Sequence, residues 1–135
     1  MDIGAHTQYK DLNNTTNGKG SDATIFWDPN GKQKLTTADG ESTEVEPFIA
    51  LGHETIHAVH GQYGTGNLSF LPNVLDPDEP DGNIGKFSSE EIQTRKEENF
   101  LRQEHGIINR ATPIVLNRKE LQELIKAMDK SIKKE

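Results

Sequence analysis

The run Pro47-Phe48-Ile49-Ala50-Leu51-Gly52-His53-Glu54-Thr55-Ile56-His57-Ala58-Val59-His60 carries the pattern H-E-x-x-H at 53–57. On a helix, residues four apart share a face, one turn above the other. Two imidazoles so placed can both reach one zinc ion at a Zn–N distance of about 2.0–2.1 Å. The intervening Glu54 then lies beside the metal, where it can take a proton from water during peptide hydrolysis. Phe48, Ile49, Ala50, Leu51, Ile56, Ala58 and Val59 make the run apolar nearly all round, which predicts a buried helix. Histidines and a glutamate are costly to bury without a partner. The alternative to a metal site is a pair of core histidines satisfied by hydrogen bonds.

The 135 residues suffice for one core, but 31% hydrophobic content, 12 glycines and 6 prolines point to a small core among many loops. Mean hydropathy is -0.78. The net charge of -7 argues against nucleic acid or an anionic membrane as partner and favours a multivalent cation. There is no cysteine, so any zinc must be held by His, Asp or Glu, and the chain suits either a reducing or an oxidising compartment. No run of about 18 apolar residues is present to span a membrane. The start, Met1 to His6, lacks the basic and apolar regions of a Sec signal peptide.

Residues 1–20, rich in Asn, Thr and Gly, read as a flexible arm or linker, with His6 a solvated side chain; residues 21–135 read as a single domain. Ala23 to Trp27 reads as a strand, and Asn30-Gly31 as the bend of a hairpin returning over Lys32 to Thr36. Thr37 to Glu46 reads as polar loop. Pro47 begins the central helix and Gly61 and Gly64 end it. His60 reads as a hydrogen-bonding residue near the helix end. Gly64 to Gly85 reads as a long loop, a substrate contact or a solvated crossover, with an acidic cluster at Asp76, Asp78, Glu79 and Asp81 whose spacing does not fit an EF-hand. Ser88 and Glu91 fit a capping box opening a second helix that runs to about His105. Leu121, Leu124, Ile125, Met128 and Ile132 recur at helical spacing in a last helix from about Arg118, expected to pack on the core.

A catalytic zinc needs a third protein ligand. The metzincin pattern fails, because His60 and Tyr63 stand where its glycine and third histidine would be. The loop aspartates Asp76, Asp78 and Asp81 and the helical glutamates Glu90, Glu91 and Glu98 remain, and a helix holds a ligand more firmly than a loop.

Leu51 to His60, followed by Glu90-Glu91-Ile92-Gln93-Thr94, then Glu98 to Gly106 and Arg110, resembles the NleD-like effector metallopeptidases. These are zinc proteases among secreted bacterial effectors and in the C-terminal toxin domains of Rhs-type proteins. The E-E-x-x-T element is also similar to that of clostridial neurotoxin light chains, where the second glutamate binds zinc. The resemblance covers roughly residues 47–110. It implies one zinc ion held by His53, His57 and Glu91, with Glu54 as general base. It further implies an arginine, here Arg110, that stabilises the developing oxyanion. The tyrosine expected three residues later is replaced by Pro113, leaving Tyr63 as a candidate for that role.

The expected fold is α+β and zincin-like: a small N-terminal β-hairpin or sheet packed on the H-E-x-x-H helix, with two further C-terminal helices. The expected activity is that of a zinc endopeptidase cutting a protein of a target cell. The resemblance implies a protein substrate, admits an immunity protein as partner, and places the chain as a secreted or delivered monomer, without a Sec signal peptide, that can be the C-terminal part of a larger toxin. Two other readings stand beside it: a zinc-stabilised binding domain without useful hydrolysis, and an interaction module with no metal.

Overall fold

The computed structural model describes residues 5–78 and 84–133. Glu79 and Asp81 of the acidic cluster lie outside the described residues, as does the side chain of Ile132. The architecture is α+β. Among the described residues there are three α-helices, α1 (Pro47–Gln62), α2 (Ser89–Glu104) and α3 (Arg118–Lys133), and seven short strands, four of them before α1. Strand β1 (His6–Tyr9) pairs antiparallel with β2 (Ala23–Phe26), and β3 (Lys34–Thr36) with β4 (Ser42–Glu44). A third sheet has the order β6 (Ile84–Ser88), β5 (Phe70–Leu75), β7 (Ile114–Val115).

Helix α1 begins at Pro47, whose fixed φ suits the first turn. The Trp27 indole N–H donates to the Pro47 carbonyl at 2.8 Å, tying the end of β2 to the helix start. The helix is not buried all round. Ile49, His53, Glu54 and Gly61 are buried, whereas Phe48 and Val59 are 45% and 41% exposed. The β1–β2 pair covers one flank and α2 another, and the 3-10 turn at Asn13–Thr15 packs against it as well.

The expected partner of β2 was the segment after Asn30-Gly31. Its actual partner is β1, from the stretch read as a mobile arm. Every second residue of β1 turns inward: the Tyr9 hydroxyl donates to the His57 carbonyl at 2.9 Å, and Thr7 reaches Glu54. A 3-10 turn at Asn13–Thr15 follows, with Thr15 fully buried. Lys34 to Thr36 instead pairs with β4, which lies inside the expected polar loop. The expected loop of residues 64–85 likewise contains β5 and the start of β6. Its register shifts between Leu71 and Val74, around Asn73 at φ 56°, so Pro72 sits at an irregularity where its missing N–H costs little.

Helix α2 opens with half of the expected capping box. The Glu91 N–H donates to Ser88 Oγ at 3.2 Å, but the Glu91 carboxylate turns inward toward the histidines. The two helices approach at Gly52, where a Cβ would collide with Leu101 Cδ2. Helix α3 does not pack as expected: Ile125 and Met128 are about half exposed (48% and 50%). The buried apolar side chains among those described are Leu35, Ile49, Val74, Ile92 and Pro113, while the buried polar ones include His53, Glu90, Thr94, Arg95, Glu98 and Arg102. The centre of this fold is therefore chiefly a polar network, consistent with the low hydrophobic content.

Candidate metal centre

Helices α1 and α2 cross with their polar faces together. His53 and His57, one turn apart on α1, both aim Nε2 at Glu91 Oε1, each at 2.8 Å. Candidate ligand atoms from His53, His57 and Glu91 lie within 4.8 Å of one another, so these side chains form a group that could hold a metal ion. The rest of the donor set fits such an ion. His53 Nδ1 lies 2.7 Å from Glu98 Oε1, and His57 Nδ1 lies 2.7 Å from Glu90 Oε2. A carboxylate behind each imidazole fixes its orientation and raises its basicity, the usual support for a histidine ligand. The second Glu91 oxygen accepts from Arg95 Nε at 2.7 Å, which leaves Oε1 to face the histidines.

Each imidazole thus has carboxylate oxygens against both nitrogens. Burial pulls the His57 pKa down, but hydrogen bonds to Glu90 and Glu91 outweigh it and hold the group up at about 9. His53 is raised as well, since Glu91 and Glu98 overcome its burial. Burial pushes the Glu91 and Glu98 carboxyls up, yet their histidine and arginine partners hold Glu91 far below the usual carboxylate range and Glu98 down at about 2.

Glu98, the other candidate third ligand, does not face the convergence point. It is 1% exposed behind His53, and it also accepts from Arg102 Nε at 2.6 Å and Arg110 Nη1 at 2.9 Å. Glu90 sits behind His57, accepts from Thr94 Oγ1 at 2.8 Å, and pairs with His60 Nδ1 at 2.8 Å. His60 is therefore a hydrogen-bonding residue, not part of the triad. Glu54 lies beside it, with Oε2 4.0 Å from His53 Nε2. The Thr7 hydroxyl is 2.9 Å from Glu54 Oε1 and 3.0 Å from the Glu54 carbonyl, and it can donate its one proton to either.

These groups lie on a cleft of about 430 Å³ between β1 and β3, floored by α1. Arg110 reaches the cleft, but its terminal nitrogens are engaged, Nη1 by Glu98 and Nη2 by Asp78 Oδ2 at 2.7 Å. Tyr63 caps the far end of α1, is 71% exposed and does not line the cleft. Arg110 thus lines the cleft with one acceptor on each terminal nitrogen, whereas the Tyr63 hydroxyl does not reach the triad. Asp76 and Asp78 are not free for calcium: Asp76 Oδ1 accepts from Arg95 Nη1 at 2.9 Å, and Asp78 faces Arg110 and Arg95. His6 is exposed at the cleft and stacks on Phe26 with ring centroids 4.6 Å apart.

Sequence reasoning missed Thr7, Tyr9 and Arg95. Arg95 had a signal, standing four residues after Glu91 as Arg102 stands after Glu98, the spacing of a helical acid–arginine pair. The chain matches no protein-family model, no curated protein and no solved structure.

Proposed function

We propose that the chain is a zinc-dependent endopeptidase of zincin-like fold, with His53, His57 and Glu91 holding one zinc ion and Glu54 acting as general base. The observation that carries this reading is the convergence of both Nε2 atoms on one Glu91 oxygen beside Glu54, with a carboxylate behind each histidine. Nitrogen and oxygen donors in a three-residue set suit zinc, which leaves a further position for water or substrate. When bound, zinc supplies Lewis acidity, polarising a carbonyl oxygen and acidifying water. Glu54 takes the proton at a carboxylate oxygen and returns it to the leaving amine. Thr7 steadies that carboxylate from the β1 side.

An extended peptide suits the cleft. Gln33 and Thr37 hydrogen-bond toward β4, so by strand alternation the Lys34 amide and carbonyl point to the opposite edge of β3, where Thr36 is already bonded to Asp78 and Ala111. Lys34 lines the cleft, and an extended peptide there would find that one residue's backbone donor and acceptor. Delivery as a secreted effector or toxin domain, acting as a monomer on a target-cell protein, belongs to the same proposal and rests on the sequence resemblance. The engaged Arg110 and the missing tyrosine favour one second reading, a zinc-stabilised binding domain without useful hydrolysis.

Digestion of a denatured proteome with the zinc-loaded protein, a chelated sample and Glu54→Gln separates the readings. New peptide termini appear with the parent alone if it is a peptidase. Metal retention by Glu54→Gln together with an absence of new termini from the parent would establish the binding domain instead.

A further inference from the structure

The acidic corner Asp76-Pro77-Asp78 closes a ring of charges around the metal triad. From Glu91 Oε2 the ring runs to Arg95 Nε at 2.7 Å, and Arg95 Nη1 lies 3.3 Å from Asp78 Oδ2. The same Asp78 oxygen accepts from Arg110 Nη2 at 2.7 Å. Arg110 Nη1 donates to Glu98 Oε1 at 2.9 Å, and Glu98 Oε1 backs His53 Nδ1 at 2.7 Å. His53 Nε2 then returns to Glu91 Oε1 at 2.8 Å. The side chains of Arg95, Arg110 and Asp78 are 9%, 13% and 15% exposed, so these pairs are weakly screened by solvent. The other Asp78 oxygen accepts the Thr36 backbone N–H at 2.8 Å, and the Pro77 carbonyl accepts from the Thr36 hydroxyl at 2.9 Å. The corner is thereby pinned to β3 on one side and to both arginines on the other.

We propose that Asp78 is a positioning residue for the metal triad, holding two guanidinium groups so that one fixes Glu91 and the other, through Glu98, fixes His53. This rests on the metal-binding reading given above. Asp78 touches no ligand itself. The far end of Arg95 is held by Asp76 at 2.9 Å, by Asp78 at 3.3 Å and over the Phe87 ring, which keeps its Nε on Glu91 Oε2 and leaves Oε1 turned toward the histidines. Arg110 is a diffuse cation shared between Asp78 and Glu98. Without Asp78 it would lean on Glu98 alone and compete with His53 for Oε1. The planar, forked geometry of arginine makes such shared clamping possible. Outer partners of metal ligands typically contribute about 10–100-fold to metal affinity.

The test is zinc affinity by competition with a chromophoric chelator, on protein shown to be folded by circular dichroism and denaturant unfolding. Asp78→Asn keeps shape and an acceptor for Thr36 but removes the charge, and should weaken zinc binding by about tenfold or more. Thr36→Val breaks the corner's side-chain anchor while leaving Asp78 in place, and should bind as the parent does. Equal losses in both variants would make Asp78 a loop anchor and overturn the proposal, as would parent affinity in folded Asp78→Asn. Should Asp78→Asn fail to fold, Arg110→Lys, which keeps a cation beside Glu98 but cannot fork between Glu98 and Asp78, decides: weaker binding supports the clamp and unchanged binding overturns it. A parent protein that binds zinc but cleaves nothing defeats the peptidase reading and leaves this inference standing. A parent that binds no zinc defeats both.

Discussion

His53 Nδ1 and Glu98 Oε1 lie 2.7 Å apart, and Glu98, 1% exposed, is shared with two arginines. This carboxylate backs a candidate ligand and does not face the point where the candidate ligand atoms converge. Removing its charge leaves Arg102, which is fully buried, without its carboxylate and takes one of two acidic partners from Arg110. Breaking one partner of a buried pair costs about 3–5 kcal/mol, a large share of a domain's total stability. Glu98→Gln should therefore lower the unfolding free energy of the metal-free protein by that amount in urea titrations. A loss within ordinary surface-mutation scatter would place the arginines' compensation elsewhere.

Glu91 should differ in its effect on metal. Glu91→Ala takes a carboxylate from His53, His57 and Arg95 and should also lower the stability of the metal-free protein, so its metal content is read on protein shown to be folded. Metal retention should fall by more than the roughly 10–100-fold expected for an outer partner. Elemental analysis after dialysis against a weak chelator, run beside Glu98→Gln, assigns the third ligand. Full zinc content in folded Glu91→Ala would remove it from the triad.

Thr7 links the N-terminal strand to the proposed chemistry. Its hydroxyl is within hydrogen-bond reach of Glu54 Oε1, and a hydrogen bond to a charged group is worth about 1.5–3 kcal/mol. Thr7→Val keeps the β-branched shape suited to β1 and deletes the donor. Turnover should drop by about tenfold or more with zinc affinity unchanged. Joint loss of both would point to a displaced strand.

The helices were legible in sequence because their signals are local. Pro47 and the H-E-x-x-H spacing define α1, Ser88 with Glu91 marks the start of α2, and the apolar recurrence from Leu121 marks α3. The triad was legible only as far as the histidines; choosing Glu91 over Glu90 and Glu98 needed the family resemblance. Strand pairing was not legible, because β1 is polar on both faces: Thr7 and Tyr9 face α1 through hydroxyls, and no apolar alternation announces them. The same cause hid the corner at Asp76 and Asp78. Its acids resemble solvated loop residues until Arg95 and Arg110, distant in sequence, are brought beside them. The exposed face of α3 was misread because helical spacing reports amphipathicity, not what covers the apolar side.

The histidines make the metal-free protein sensitive to alkali. His57 is held at about 9, above its ordinary 6.5. A raised folded-state value means that the stabilisation is fully present below about 6.5 and is lost as pH climbs through about 9. The unfolding free energy of metal-free protein should decline from pH 7 to pH 9. Zinc must displace these protons, so binding near pH 7.5 should release protons, measurable as a dependence of calorimetric enthalpy on buffer ionisation heat. Identical enthalpies in buffers of different ionisation heat would contradict this.

Gly52 precedes the first candidate ligand and faces Leu101 of α2. A Cβ at this position would collide with Leu101 Cδ2, the far end of a flexible side chain, so Gly52→Ala displaces that side chain at a cost that alanine's better helix propensity partly offsets. Leu101→Ala alone loses packing and is destabilising too. The pair should be less damaging than the sum, because the smaller side chain vacates the space that the new methyl group needs, and neighbouring sites couple by about 0.5–3 kcal/mol. Denaturant unfolding of the parent, both single variants and the double variant measures that coupling. Strict additivity would mean that the helices adjust elsewhere, and zinc affinity in folded Gly52→Ala would then report whether the adjustment moves His53 away from Glu91.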